Sequence, residues 1–264
     1  VRWLREYTPQ PIELEPTWTL AAAIEEIDTD QTVTGNLSSV LGSTQVNTLR
    51  VSFTSEVLHF SNPRFIGGEA QESLPPTLNY LSFQDQQSPT ASNRYLYGYT
   101  LDEVFSWFLP DRGGDHELKF GMSYNYVPLR REEFGNLNGT FTFNTDLDFN
   151  AADARTYPER FTVRMPGVSD YHIKGYYFSG YAQDKWKPVS RLSLSLGVRY
   201  DLEVIPTPNG DNPLFAGDPE GSPLDLNNVS PRFAFAYTLD GAGRSVRRGG
   251  VGVFYQRTVP ATNI

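Results

Sequence analysis

The chain of 264 residues contains no cysteine, which excludes both a disulfide framework and a thiolate metal site. Long hydrophobic runs are missing too: nothing approaches the roughly 20 apolar residues of a membrane-spanning helix. Helical spacing of apolar residues is absent, and 22 glycines and 19 prolines interrupt nearly every stretch. Lysine is scarce, confined to Lys119, Lys174, Lys185 and Lys187. With 31 acidic against 22 basic residues the net charge is -9, which argues against a nucleic-acid partner. The histidines His59, His116 and His172 stand far apart, none in a ligand spacing such as HExxH, so no metal site is expected.

What the chain has instead is alternation. In Leu192 to Leu202, LSLSLGVRYDL, the residues Leu192, Leu194, Leu196, Val198, Tyr200 and Leu202 share one parity. Ser193, Ser195, Gly197, Arg199 and Asp201 share the other. A period of two is that of a β-strand, whose successive side chains leave opposite faces. Its polar side is small and nearly uncharged, unlike the Lys-, Glu- and Thr-rich side of a soluble strand. Alternation alone leaves open whether the apolar side meets a core or lipid.

Similar strands recur along the chain. They are expected at about 31–40, 45–60, 94–108, 116–127, 171–186, 192–202, 231–239 and 246–257, with a short one possible at 139–143. Residues 1–29 read as either a further strand or a loop. Connections at 41–44, 109–115, 187–190 and 240–245 are short; those at 61–93, 131–171 and 205–229 are long and rich in Pro, Asn and Gln. Short and long alternate without exception. An up-and-down membrane barrel has this order, with short periplasmic turns and long external loops, whereas Greek-key sandwiches mix lengths. The later strands reach the roughly 9–11 residues that cross a bilayer at a tilt. The expected fold is therefore all-β, an antiparallel up-and-down transmembrane β-barrel, present in part as about eight strands of a larger one.

Aromatic placement agrees. With 109–115 periplasmic, Tyr95, Tyr97 and Tyr99 fall at the external end of one strand and Tyr124 and Tyr126 at that of its partner. Trp107 falls at the opposite rim, as does Trp186, whose face the sequence leaves open; rings at both ends form an interfacial girdle. On the other parity Arg50, Lys119, Arg199 and Asp201 are candidate lumen-facing groups. Arg199 and Asp201, two apart on one strand, are placed to pair, either to stiffen the wall or to meet whatever lies inside. Small side chains there, such as Ser193, Ser195, Gly197, Ala234, Ala236, Gly250 and Gly252, cannot fill a closed eight-stranded barrel. A wider lumen, hydrated or plugged, is expected.

Other signals are weaker. Gly249-Gly250-Val251-Gly252 lacks a following helix and the rest of a dinucleotide fingerprint. The pairs Asp146/Asp148 and Glu132/Glu133 suggest glycoside chemistry, and Asp146, Asp148 and Asp153 suggest oxygen ligands for Ca²⁺; on loops both sets read as solvated charge. No catalytic residue, cofactor or metal is assigned, and no enzyme is expected.

Several runs resemble one family. They are Ala182-Gln183-Asp184 with Trp186, Leu196-Gly197-Val198-Arg199-Tyr200-Asp201, Ser230-Pro231-Arg232 with Phe235-Ala236-Tyr237, and Arg248-Gly249-Gly250 with Phe254-Tyr255. Val46-Asn47-Thr48-Leu49-Arg50-Val51 adds a strand start of the same kind. Together they resemble the barrel of TonB-dependent outer-membrane transporters, most of all the Oar-like branch. The likeness is clear over 170–257 and fainter over 30–170. It implies a barrel of about 22 strands around an N-terminal plug, energised by TonB, in the outer membrane of a Gram-negative bacterium.

Residues 1–264 then read as one piece of that barrel, without the plug and the TonB box: Val1 is not an initiator Met, and the chain stops just past a strand. The implied function is import of a scarce solute, with the long loops capturing it. Outer-membrane lipid and, through the rest of the protein, the TonB complex are the implied partners. A barrel of the same fold used for adhesion or surface organisation is the alternative, and a soluble secreted β-sandwich enzyme a more distant one.

Overall fold

The computed structural model describes residues 1–61, 75–87, 91–164, 169–204, 224–240 and 244–256. Its strands, in chain order, are β1 (Arg2–Glu13), β2 (Ile24–Leu41), β3 (Gln45–Ser61), β4 (Thr77–Asn79), β5 (Gln84–Asp85), β6 (Ser92–Leu109) and β7 (Asp115–Glu133). They continue with β8 (Thr140–Thr142), β9 (Arg160–Thr162), β10 (Ser169–Val189), β11 (Leu192–Val204), β12 (Val229–Thr238) and β13 (Val246–Gly252). Nine of them form one antiparallel sheet in the order β1-β2-β3-β6-β7-β10-β11-β12-β13. Each long strand pairs with its neighbours along the chain, which is an up-and-down meander. Neither outer edge, β1 or β13, is paired among the described residues.

The N-terminal stretch, expected as strand or loop, is a strand that adds one to the eight. It pairs with β2 from Arg2 opposite Thr34 to Pro9 opposite Ile27. The strand expected from about residue 31 begins at Ile24. The prolines of 205–229 expected in an exit loop (Pro206, Pro208, Pro213, Pro219 and Pro223) lie outside the described residues.

Registers carry the sequence alternation across the sheet. Leu37 stands opposite Leu49, Leu49 opposite Glu103, Glu103 opposite Met122, Met122 opposite Gly180 and Gly180 opposite Tyr200. Opposed residues share a face, so this ladder joins the Leu192–Leu202 row, the Tyr95–Trp107 row and the Leu118–Tyr126 row on one side. That side is apolar and open: Leu37 is 62% exposed, Met122 55% and Leu196 43%. The other side carries Arg50, Asp102, Ser123, Ser179 and Asp201, opposed in turn.

Short turns close one end of the sheet and long connections the other. In the β6–β7 turn Asp111, Gly113 and Gly114 take positive φ. Gly114 has a second reason to be glycine, because a Cβ there would run into the backbone of Lys187 and Pro188 at the end of β10.

At the far end three connections are sewn together. β4 and β5, from the β3–β6 connection, join β8 and β9, from the β7–β10 connection, in a small sheet of order β5-β4-β8-β9. The short strand expected near 139–143 is β8 of this sheet. The segment between β1 and β2 ties in as well: the Thr19 amide donates to the Gln84 carbonyl, and the Gln84 amide to the Thr17 carbonyl, each at 2.8 Å. Phe143 is buried, with Tyr80 at 4.8 Å between ring centroids, and Tyr80 stacks on Phe83 at 4.6 Å.

The buried apolar residues, among them Ala22, Ala23, Leu58, Ala91, Leu129 and Phe143, gather at this end. Leu58 and Leu129 belong to the polar-side parity of β3 and β7, so the connections cover the upper part of that side. The middle of the nine-stranded sheet has no core on either face. Its stability comes from the ladders and from whatever each face meets.

Candidate functional site

The polar face is where chemistry is concentrated. At its centre Asp102 Oδ1 accepts from the Ser123 hydroxyl at 2.6 Å. The Asn125 amide donates to Ser123 Oγ at 3.2 Å, and the Thr100 hydroxyl donates to Asn125 Oδ1 at 2.7 Å. Two strands away Arg199 grips Asp201 through Nε, at 2.9 and 3.0 Å, and Nη2, at 2.8 Å. This bidentate fork holds the guanidinium in one orientation.

Of the four residues that the sequence singled out on this parity, all stand on the polar face. Arg199 and Asp201 are brought together as an ion pair. Arg50 is opposite Asp102 but makes no ion pair or hydrogen bond among the described residues. It lines, with Thr48, Asp102, Ser179, Tyr181 and Arg199, a recess of about 280 Å³. Lys119 lies nearer the short-turn end, paired with Glu117 at 2.7 Å.

A second recess, of about 550 Å³, adjoins the first across Tyr181 and Arg199. Gly197, Ala234, Gly250 and Gly252 leave its floor bare, while Arg232 stands at its side with its guanidinium 4.6 Å from the Phe254 ring centroid. The sequence does not single out Asp102, Tyr181 and Arg232 as lumen candidates; the register sets Asp102 opposite Arg50 and Tyr181 opposite Arg199, and Arg232 shares the second recess with Arg199.

The seven aromatic candidates fall on the opposite, apolar face. Tyr97 and Tyr99 lie 6.3 and 5.2 Å from Phe53, Tyr99 lies 5.9 Å from Tyr126, and Tyr126 5.0 Å from Tyr176. Tyr124 lies 4.8 Å from Phe178. Tyr95 ends the arc, with the Arg130 guanidinium 5.7 Å from its centroid. Rings thus run continuously over β3, β6, β7 and β10, and Phe53, Tyr176 and Phe178 are members that the sequence reading left out. At the other end of the same face stand Trp107 and Trp186. Trp186, whose side the sequence left open, stacks on His116 at 5.5 Å and donates from Nε1 to the Gly113 carbonyl at 3.0 Å. His116 Nδ1 in turn meets Asp184 Oδ2 at 2.7 Å.

An antiparallel meander with one apolar and one polar face, and with aromatic rings toward both ends of the apolar one, is the wall of a membrane barrel. The profile of the outer membrane beta barrel domain matches residues 1–263. The chain belongs to that family. No curated protein matches the chain. Among solved structures it is similar to the outer membrane transporter YddB from Escherichia coli, at 15% identity and a TM-score of 0.57. The match covers 90% of this chain and 27% of that transporter, so the chain spans about a quarter of its length. At that identity the likeness is one of fold. The family places this barrel domain in the outer membrane.

On the long connections Asp146 and Asp153 have structural partners. Asp146 Oδ1 accepts from the Ser82 amide at 2.9 Å. Asp153 caps the 3-10 turn Ala154–Thr156, accepting from the Arg155 amide at 3.0 Å and Nη2 at 2.7 Å. These bonds, the side-chain one first, hold the Asp153 carboxyl below the usual aspartate range. Among the described residues no three His, Asp or Glu side chains gather as a metal site would require.

Proposed function

We propose that the barrel domain is part of the wall of a TonB-dependent transporter that imports a scarce solute through a lumen lined by Arg50, Lys119, Arg199 and Asp201. The observation that carries this reading is the polar face itself. Over β11–β13 it carries Ser193, Ser195, Gly197, Ala234, Ala236, Gly250 and Gly252, too small to fill a narrow barrel. Narrow barrels close with large inward side chains, and wide ones keep a channel or a plug. The family-like runs around Trp186, Leu196–Asp201 and Ser230–Arg232 support the TonB-dependent, Oar-like branch. Tyr95, Tyr97, Tyr99, Trp107, Tyr124, Tyr126 and Trp186 serve as the girdle against outer-membrane lipid, and the protein carries out no catalysis.

The test is uptake by cells making the full-length protein, with and without TonB and a proton-motive force. Accumulation of a solute that stops when either is removed supports the reading. Loss of cell attachment or surface order on deletion, with uptake of all tested solutes unchanged, replaces it with a surface-organising role.

A further inference from the structure

At the short-turn end of the wall one side chain faces more acceptors than its neutral form can serve. His116, the second residue of β7, sets Nδ1 2.7 Å from Asp184 Oδ2 on β10 and Nε2 3.3 Å from the Arg112 carbonyl in the β6–β7 turn. A carboxylate and a backbone carbonyl only accept, and a neutral imidazole carries a single N–H. Both contacts close as hydrogen bonds only when the His116–Asp184 pair holds one extra proton. The two side chains are each 21% exposed, and the second oxygen of Asp184 is enclosed without a partner. Among the described residues His116 is therefore what meets this carboxylate. The Trp186 indole lies 9° from parallel to the imidazole at 5.5 Å, a stacking that favours a charged ring.

The other charges nearby are engaged elsewhere or lie on the opposite side. Glu117, Lys185 and Lys187 are on the opposite face of β7 and β10, and Glu117 binds Lys119. Asp115 accepts from the Asp111 amide at 3.4 Å. The Asp111 and Arg112 side chains make no ion pair among the described residues. β6 sets Leu109 opposite His116, and β11 sets Leu194 and Leu196 opposite Trp186 and Asp184. Two further contacts hold the same turn without a titrating group. Trp186 Nε1 donates to the Gly113 carbonyl at 3.0 Å, and Gly114 lies against the backbone of Lys187 and Pro188.

We propose that His116, Asp184 and Trp186 form a proton-operated clasp, which fastens the β6–β7 turn to β10 while the imidazole is doubly protonated and frees the Arg112 carbonyl when it loses a proton. The remaining N–H stays on Nδ1, where its acceptor is a charged carboxylate. The lone pair of Nε2 then faces the Arg112 oxygen, and that contact opens. The clasp is complete in acid and loosens as pH rises. Gly113 and Gly114 stay against β10, so the turn gives way at one corner and does not detach. This joint belongs to the wall itself and stands whether or not a solute passes through the lumen.

The experiment is fluorine NMR of the full-length protein in detergent, labelled with fluorotryptophan and titrated from about pH 5.5 to 8.5, the range in which histidines change charge. The Trp186 signal is the one missing from Trp186→Phe. It is expected to move in a single step. The step is expected to vanish in His116→Phe, which keeps a ring to stack on the indole. In Asp184→Asn it is expected to need about tenfold more acid, because the imidazolium loses its charged partner. Hydrogen exchange reads the turn itself. The Arg112 amide donates to the Gly114 carbonyl at 2.9 Å, and its protection factor is expected to fall severalfold across the step in the wild type and to stay level in His116→Phe.

A Trp186 signal that does not move, a step unchanged in His116→Phe, or turn protection that stays level through the wild-type step overturns the proposal. Should His116→Phe fail to fold, Asp184→Asn decides alone, and an unshifted step there overturns it.

Discussion

The ring of Tyr181 occupies the space above Gly121, its partner across the β7–β10 ladder, so that a Cβ at Gly121 would run into the far edge of that ring. Tyr181 also stands between the two recesses of the polar face. Its position is therefore set by the absence of a side chain on the neighbouring strand. Gly121→Ala is expected to push the ring aside, at a cost of about 1 kcal/mol or less, since the ring tip is free to move into the lumen. In a Tyr181→Ala background the same substitution is expected to cost nothing. Denaturant unfolding of the four proteins of this double-mutant cycle reads the coupling directly.

Face assignment is tested at two adjacent residues. Leu196 is on the apolar face and Ser195 on the polar one, opposite Lys185 and Ala234. Arginine in place of Leu196 is expected to cost on the order of 2–4 kcal/mol, and in place of Ser195 far less. Folding equilibria in lipid vesicles provide the comparison; equal costs would reverse the picture of which side meets hydrocarbon.

Glu103 interrupts the apolar face midway between Tyr99 and Trp107, with Leu49 and Met122 opposite it. It makes no ion pair or hydrogen bond among the described residues. An acid in the middle of the hydrocarbon band is costly, though less so than a lysine or arginine. Glu103→Leu is expected to raise the unfolding free energy in vesicles by up to about 2 kcal/mol. A loss of stability would mean that the carboxyl has a partner in the membrane.

The long connections are expected to open as a unit. Phe143, on the β7–β10 connection, is buried beside Tyr80 of the β3–β6 connection. Phe143→Ala is expected to weaken their joint packing by about 3 kcal/mol. Limited proteolysis of intact cells should then cut both 75–87 and 144–164 faster, and cleavage confined to one of them would show that the two are independent.

Acid should loosen the 3-10 turn at Ala154–Thr156. The Asp153 carboxyl titrates below its unfolded value because Arg155 bonds to its charged form. Its contribution is thus in place above the unfolded pKa and is lost as pH falls through the folded one. The protection factor of the Arg155 amide against hydrogen exchange, high near neutrality and lower in acid, is expected to lose that pH dependence in Asp153→Asn.

Much of the wall was legible in the sequence because a strand writes its faces into parity. The Arg199–Asp201 pair could be read directly, since residues two apart share a side. Asp102 and Ser123 could not, because their meeting depends on the β6–β7 register, which neither strand encodes by itself. β1 was obscured by Pro9 and Pro11, which argue against a central strand; it is the outer strand among the described residues, where proline is tolerated. The small sheet of the connections left no trace, since strands of two or three residues are too short to show a period.

The margins of the large sheet, β1 and β13 among the described residues, bear on how such a wall reaches its membrane. Every unmatched amide and carbonyl along β1 or β13 would need a partner before lipid tails closed around it. Strips of this wall cannot settle into the bilayer one at a time; insertion and seam-closing have to advance together, with water or an assembly machine shielding the open seam until the last neighbour arrives.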